Sequence, residues 1–277
     1  MIRDYQPNDA AKILQILQQP GGHQITDPEA ILNSLASNTV LVFDKGGVRG
    51  FSLIEVGKSV SQIILYTDPA QRCMGIGSAL WEASLKSLNS VDPATIWVFY
   101  RQDIGSSRSF YASKGCQVWY AYHHMIYHGP AFEEPLLEWK LYEEPYFELY
   151  YQSRRDAFAP LMDGLGNDEP EDKKRENTWR WLNENRDHVY LFFDQGLFIG
   201  SLAVVDNLLL DELFVCPGQQ GKGYGKDLVH FGINRILEKG HHPTLAVVAS
   251  NTHAKHLYDR IGFELIQTLE MSRLIKK

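Results

Sequence analysis

One pattern occurs twice in this chain. Arg72-Cys73-Met74-Gly75-Ile76-Gly77 and Gln220-Gly221-Lys222-Gly223-Tyr224-Gly225 both read Arg/Gln-x-x-Gly-x-Gly, each just after an extended apolar run and just before a helix-periodic one. Each is followed by a second signal, Phe110-Tyr111-x-x-x-Gly115 and then Leu257-Tyr258-x-x-x-Gly262. Arg72 to Tyr111 is 39 residues and Gln220 to Tyr258 is 38. Matched motifs at matched spacing mean a duplicated unit. A length of 277 residues suits two domains. Gly129-Pro130 and Pro135 mark the joint, so the expected domains are residues 1–130 and 131–277.

Glycines at a strand-to-helix turn let a ligand approach the main chain. The first turn of a helix carries unpaired N–H groups and partial positive charge, which suit a phosphate or pyrophosphate. The basic residues Arg72, Lys222 and Lys226 add charge-assisted bonds. Neither copy is a Walker loop, which needs Gly-Lys-Ser/Thr at its end. Neither is a dinucleotide fingerprint, because Leu80 and Leu228 stand where its third glycine belongs.

The loops do resemble the acetyl-CoA loop of the GNAT superfamily of N-acetyltransferases. The second copy is the closer match: Leu210-Asp211-Glu212-Leu213-Phe214-Val215-Cys216-Pro217, then Gln220 to Gly225, then Asn251-x-x-Ala254-x-x-Leu257-Tyr258-x-x-x-Gly262-Phe263. That resemblance covers most of residues 136–277. It implies an α/β (α+β) chain of two tandem GNAT-like domains, each a mixed, mostly antiparallel sheet flanked by helices. It implies acetyl-CoA as cosubstrate and a primary amine of a small molecule or peptide as acceptor. The pyrophosphate would lie on Gln220, Gly221, Lys222, Gly223, Tyr224, Gly225 and Lys226, and the pantetheine arm along the main chain of Leu213, Phe214 and Val215. Asn251 matches a position that contacts the arm, and its residue type equally suits an N-cap. Tyr258 matches a tyrosine near the CoA sulfur and is the expected acid; helix–core packing is its plainer role.

Acetyl transfer from a thioester needs a neutral amine, a donor for the tetrahedral oxyanion and protonation of the leaving thiolate. Asp211 is the expected base, with Glu212 as runner-up. Strand neighbours face opposite sides, so only one of them faces an acceptor cleft, and the other is free to pair with a basic side chain. The oxyanion donor is expected to be a main-chain N–H near Phe214 or Val215, where the resemblance places a strand irregularity.

The first half departs where chemistry is needed. Its strand Ile63-Ile64-Leu65-Tyr66-Thr67 has no carboxylate at the positions of Asp211 and Glu212; Ile104 replaces Asn251 and Cys116 replaces Phe263. Arg72, Gly75, Gly77 and Tyr111 remain, so this domain keeps a cofactor loop but is expected not to catalyse.

In the second half, a strand is expected over 137–142, helices over 146–158 and 171–185, strands over 188–193, 197–205 and 208–215, and a helix over 224–239. A strand at 244–249, a helix at 252–261 and a strand at 263–274 complete it. Residues 164–172 are polar and turn-rich and read as a plain surface loop, with a mobile loop over the acceptor site as the alternative; the acceptor-side helices include Trp179 and Trp181.

Residues 1–130 carry 10 basic and 10 acidic groups, and residues 131–277 carry 17 and 24, so the whole net charge of −7 lies in the second half. An acidic field disfavours nucleic acid and suits a cationic amine; solvated surface charge is the plainer reading. No apolar run is long enough to span a membrane, and the polar start Met1-Ile2-Arg3-Asp4 is unlike a signal peptide. Three unpaired cysteines and ten histidines without ligand spacing imply neither a disulfide framework nor a metal site, and a cytoplasmic setting is expected. Monomer and homodimer both stay open. A non-catalytic CoA-binding regulatory or assembly protein is the alternative function.

Overall fold

A computed structural model describes residues 1–19, 28–57, 60–165 and 170–275. The chain forms two compact units: Met1–Ala121 with Gln267–Lys277, and Tyr122–Ile266. Each is a sheet with helices packed on both faces, a three-layer arrangement.

In unit 1 the order along the chain is β1 (Ile2–Asp4), α1 (Ala10–Gln18), α2 (Pro28–Ser37), β2 (Thr39–Asp44), β3 (Val48–Glu55), β4 (Val60–Thr67), α3 (Ile76–Ser87), β5 (Thr95–Arg101) and α4 (Gly105–Ser113). The strand β6 (Gln117–Tyr127) follows. Strands β1 to β4 pair antiparallel in sequence order, and β4 pairs parallel with β5. Ile13, Ile16, Leu17 and Leu35 fill one face of this sheet; Leu80, Trp81 and Tyr111 fill the other.

Unit 2 contains β7 (Glu138–Leu141), α5 (Phe147–Leu165), α6 (Glu171–Glu184), β8 (Val189–Asp194), β9 (Leu197–Val205), β10 (Leu209–Val215), α7 (Tyr224–Leu237), β11 (Thr244–Val248) and α8 (Thr252–Ile261). The chain ends on β12 (Phe263–Ile275). Strands β7 to β10 are antiparallel neighbours, and β10 runs parallel to β11, repeating the pattern of unit 1. Leu228, Phe231 and Tyr258 cover one face, Tyr150 and Leu182 the other.

The units do not follow the expected division at residue 130. Each sheet is completed by a strand from the other half of the sequence. In unit 1, Leu269–Ile275 of β12 pairs antiparallel with β5. In unit 2, Tyr122–Ile126 of β6 pairs antiparallel with β11. The added strands supply core: Met271 and Met125 are both buried. Glu270, 1% exposed, is held in unit 1 by Arg108 and Gln102, and Tyr100 shares a 2.8 Å hydrogen bond with Ser272. A buried carboxylate persists only with such partners.

α5 runs to Leu165 rather than ending before Pro160. The ring removes the bond to the Asp156 carbonyl and crowds that carbonyl, a cost of roughly 3 kcal/mol in a helix interior; both residues are exposed, so water reaches the freed oxygen. The segment 166–169 of the expected loop, and His23, lie outside the described residues. Among the described residues no helix is long and apolar enough to cross a membrane. None of them form a group of three or more candidate metal ligands.

Candidate functional site

The site of unit 2 begins where two parallel strands part. The β10–β11 ladder pairs Leu209 with Thr244 and Leu210 with Leu245 and goes no further. On the other side of β10 the register against β9 shifts between Asp211 and Phe214. The extra residue is Glu212, whose φ of 46° lies in the left-handed region. A non-glycine residue there costs roughly 1–2 kcal/mol, and such a bulge turns main-chain groups away from the ladder.

Gly200 of β9 makes the bulge sterically feasible. A Cβ at Gly200 would lie 2.1 Å from the Phe214 carbonyl oxygen and 3.0 Å from Val215 Cα, both backbone atoms. Gly200→Ala is therefore expected to destabilise unit 2 by about 3 kcal/mol or more, the upper end for overpacking. Chemical denaturation checks this; a loss under about 1 kcal/mol would mean that β9 and β10 part easily.

The bulge separates the two carboxylates. Glu212 meets Arg154 of α5, with a 2.7 Å bond from Nη2 to Oε1 and a second contact from Nε. The Tyr150 hydroxyl also donates to it at 3.4 Å. Asp211 Oδ1 accepts the Glu212 N–H at 2.8 Å. Although Asp211 keeps an exposed surface, the protein atoms crowding its carboxyl push its pKa upward, and the Glu212 charge adds to this.

That shift has a thermodynamic sign. A carboxyl whose folded pKa is raised binds its proton more tightly in the folded state, so stability falls as pH climbs from the ordinary value near 3.9 through the raised one. Asp211→Asn is expected to raise the melting temperature at pH 7.5 and to change it little below the ordinary carboxylate pKa. Equal melting temperatures at pH 7.5 would contradict the shift.

Tyr258 lies on α8, 8% exposed, with its ring centroid 5.8 Å from that of Phe263. Burial, reinforced by the nearby Asp211 charge, pushes its hydroxyl up to about 12. The tyrosine is thus a core residue whose hydroxyl burial keeps protonated, near the Asp211 charge.

The loop leads into α7 through Gly223 at φ 97°, the counterpart of Gly75 at φ 80° before α3. Glycine is the residue that adopts this backbone without strain. Gln220 Nε2 donates to the Val215 carbonyl at 3.0 Å, Lys222 to Gln219 at 2.8 Å, and the Tyr224 hydroxyl to Asp194 at 2.6 Å. Gly225 lets α7 approach Leu257 of α8, where an added Cβ would meet Cδ2 at 3.4 Å. Asn251 caps α8, accepting the Ala254 N–H at 3.1 Å.

Beside the bulge, α5 and α6 line a cleft of about 570 Å³ with Phe158, Met162, Thr178 and Trp181, and Glu212 closes it from the sheet. Trp179 is exposed and is not among the lining residues.

Unit 1 keeps the loop and lacks the bulge. Its β3–β4 ladder runs from Gly50–Thr67 to Glu55–Gln62 without a register shift, and β4 pairs with β5 through Ile63 and Val98. Leu65 hydrogen-bonds through its main chain to the Tyr111 hydroxyl, which burial raises well above the ordinary phenol value. A cavity of about 330 Å³ remains at the loop, lined in part by Arg72, Gly75, Gly77, Ile104 and Tyr111. Ile104 precedes α4 without a side-chain cap, unlike Asn251 before α8.

Three features of the site escaped the reading of the sequence. Arg154 and Tyr150 carry no motif. Gly200 did signal itself, since a lone glycine inside an apolar strand marks a bulge or a close backbone approach. Gly50 repeats it in unit 1, where an added Cβ would lie 2.7 Å from the Tyr66 carbonyl oxygen.

Residues 205–272 match the family described as FR47-like protein. No curated protein matches the chain. Among solved structures, a GCN5-related N-acetyltransferase from Sphaerobacter thermophilus is similar over 99% of this chain and 95% of its own, with 18% identity and a TM-score of 0.75. A tandem GNAT protein from the clavulanic acid biosynthesis pathway is similar over 99% and 98%, with 14% identity and a TM-score of 0.68. A putative acetyltransferase from Pyrococcus horikoshii is similar over 100% and 89%, with 14% identity and a TM-score of 0.61. In fold, this chain is similar to GNAT N-acetyltransferases, a tandem one among them, and its second half carries the match to the FR47-like family.

Proposed function

We propose that unit 2 transfers the acetyl group of acetyl-CoA to a primary amine of a small molecule or peptide, by direct attack within a ternary complex. The observation that carries this reading is the bulge at Asp211–Phe214, beside the parted strands and Tyr258. The loop from Gln220 to Lys226 suits the pyrophosphate: its glycines leave the main chain open, and Lys222 and Lys226 bring positive charge. The pantetheine arm would take the place of the missing ladder partner along Leu213 to Val215.

In this reading the amine enters from the cleft between α5 and α6. Its nitrogen attacks the thioester carbonyl carbon, and main-chain N–H groups of the bulge stabilise the oxyanion. Asp211 accepts the proton shed by the nitrogen, directly or through water. The C–S bond then breaks, and Tyr258 donates to the departing sulfur. Glu212, filled by Arg154 and Tyr150, holds structure. Unit 1 has the cofactor loop but neither the bulge nor the carboxylates, and serves as a non-catalytic partner.

The test is release of free CoA thiol from acetyl-CoA across a panel of amino acids, polyamines, aminoglycosides and peptides, alongside calorimetric titration with acetyl-CoA. Amine-dependent thiol release supports transfer. Binding without release on any amine would favour the non-catalytic CoA-binding alternative.

A further inference from the structure

Tyr150, Arg154 and Phe158 recur every four residues on α5, so they form one stripe along its inner face. That stripe presses on both flanks of the bulge. Tyr150 is fully buried with its ring 5.3 Å from that of Phe214, and Phe158 lies 6.1 Å from the same ring. Between them Arg154 grips Glu212 with two donors, its guanidinium 5.3 Å from the Phe158 ring centroid. Both partners of the ion pair are largely withdrawn from solvent, at 32% and 20% side-chain exposure. Glu212 is also the residue in left-handed backbone. In unit 1 the corresponding helix α1 offers apolar Ile13, Ile16 and Leu17 to its sheet, and the β3–β4 ladder there is regular.

We infer that Arg154 is a positioning residue for acetyl transfer: by holding Glu212 in its left-handed conformation it aims the main-chain N–H groups of the bulge at the thioester carbonyl. This rests on the proposed acetyl-CoA reading of unit 2. It also argues against Glu212 as the base, because its carboxylate is ion-paired with Arg154 and accepts the Tyr150 hydroxyl. Arg154 touches no reacting atom; its effect passes through the backbone of its partner.

An aimed N–H bonds the acetyl carbonyl, which free CoA lacks. The readout is therefore the affinity ratio of acetyl-CoA to CoA by calorimetry, with the carbonyl stretch of carbon-13-labelled acetyl-CoA as a second signature. Wild type is expected to prefer acetyl-CoA and to shift the stretch to lower frequency. Arg154→Met should leave CoA affinity within about twofold, abolish both signatures, and lower kcat roughly 10- to 100-fold, with acetyl-CoA affinity falling only by the preference over CoA that is lost. Arg154→Lys should recover part of the loss. Glu212→Gln should reproduce the Arg154→Met result, and the double variant should be no worse than either single one, because one coupled pair is being broken. Should Arg154→Met fail to fold, Glu212→Gln, which preserves shape, carries the test. A folded Arg154→Met or Glu212→Gln with the wild-type ratio and stretch would overturn the inference, as would additive losses. Failure of wild type to bind acetyl-CoA would instead refute the underlying reading of unit 2.

Discussion

Cutting the chain at residue 130 is expected to give two fragments, neither of which folds alone. Fragment 1–130 lacks Leu269–Ile275, the strand that completes the sheet beside β5. With it go the buried Leu269 and Met271, each contributing about 1.5–3 kcal/mol. Seven residue pairs of sheet ladder and the buried carboxylate of Glu270 go as well. Fragment 131–277 lacks Tyr122–Ile126 beside β11, and with it the fully buried Met125. Domains this size are stable by only about 5–15 kcal/mol, so losses on this scale remove most of that margin. Separate fragments should show no cooperative thermal transition, and co-expression of the two should restore one. A cooperative melt of fragment 1–130 alone would mean that the β12 segment is dispensable to unit 1.

The next largest effect is expected at Tyr258. A hydroxyl held near 12 is a weaker acid than a thiol near about 8.5, so full proton transfer to the leaving sulfur runs uphill at about 1.4 kcal/mol per unit. Donating a hydrogen bond to charge developing on sulfur does not incur that cost, and the same pKa keeps the donor protonated throughout the neutral range. Tyr258→Phe removes the donor and keeps the ring that meets Phe263. Turnover should fall about 10²- to 10³-fold, the scale for one lost donor at a developing charge, with acetyl-CoA affinity little changed. Steady-state kinetics and calorimetry check both halves. In unit 1, Tyr111→Phe frees the Leu65 main-chain group and is expected to cost about 1–3 kcal/mol of stability.

The sequence disclosed what repeats and what glycine must do. The paired loops, the helices they open and the strands before them were readable because Gly75 and Gly223 occupy left-handed backbone. The loss of carboxylates from β4 was equally plain, as Ile63 and Ile64 stand against Asp211 and Glu212. The strand exchange was not readable as such, because periodicity shows that a segment is a strand and not which sheet it joins. Its trace lies in length: β6 has 11 residues and β12 has 13, about twice the usual strand. The bulge was expected from the resemblance, near Phe214 or Val215, and hinted at by Gly200 across the ladder, but not by Glu212 itself, since glutamate is not a left-handed residue by preference. Its left-handed backbone coincides with a grip by Arg154, 58 residues earlier in sequence, and such tertiary contacts leave no local pattern.

The most direct test compares amine-dependent thiol release from acetyl-CoA in Tyr258→Phe and Tyr111→Phe side by side, each confirmed as folded by its thermal melt. If chemistry resides in unit 2, the first loses about 10²- to 10³-fold in turnover and the second keeps wild-type turnover. Loss in Tyr111→Phe with retention in Tyr258→Phe would place the chemistry in unit 1 and contradict the role of the bulge.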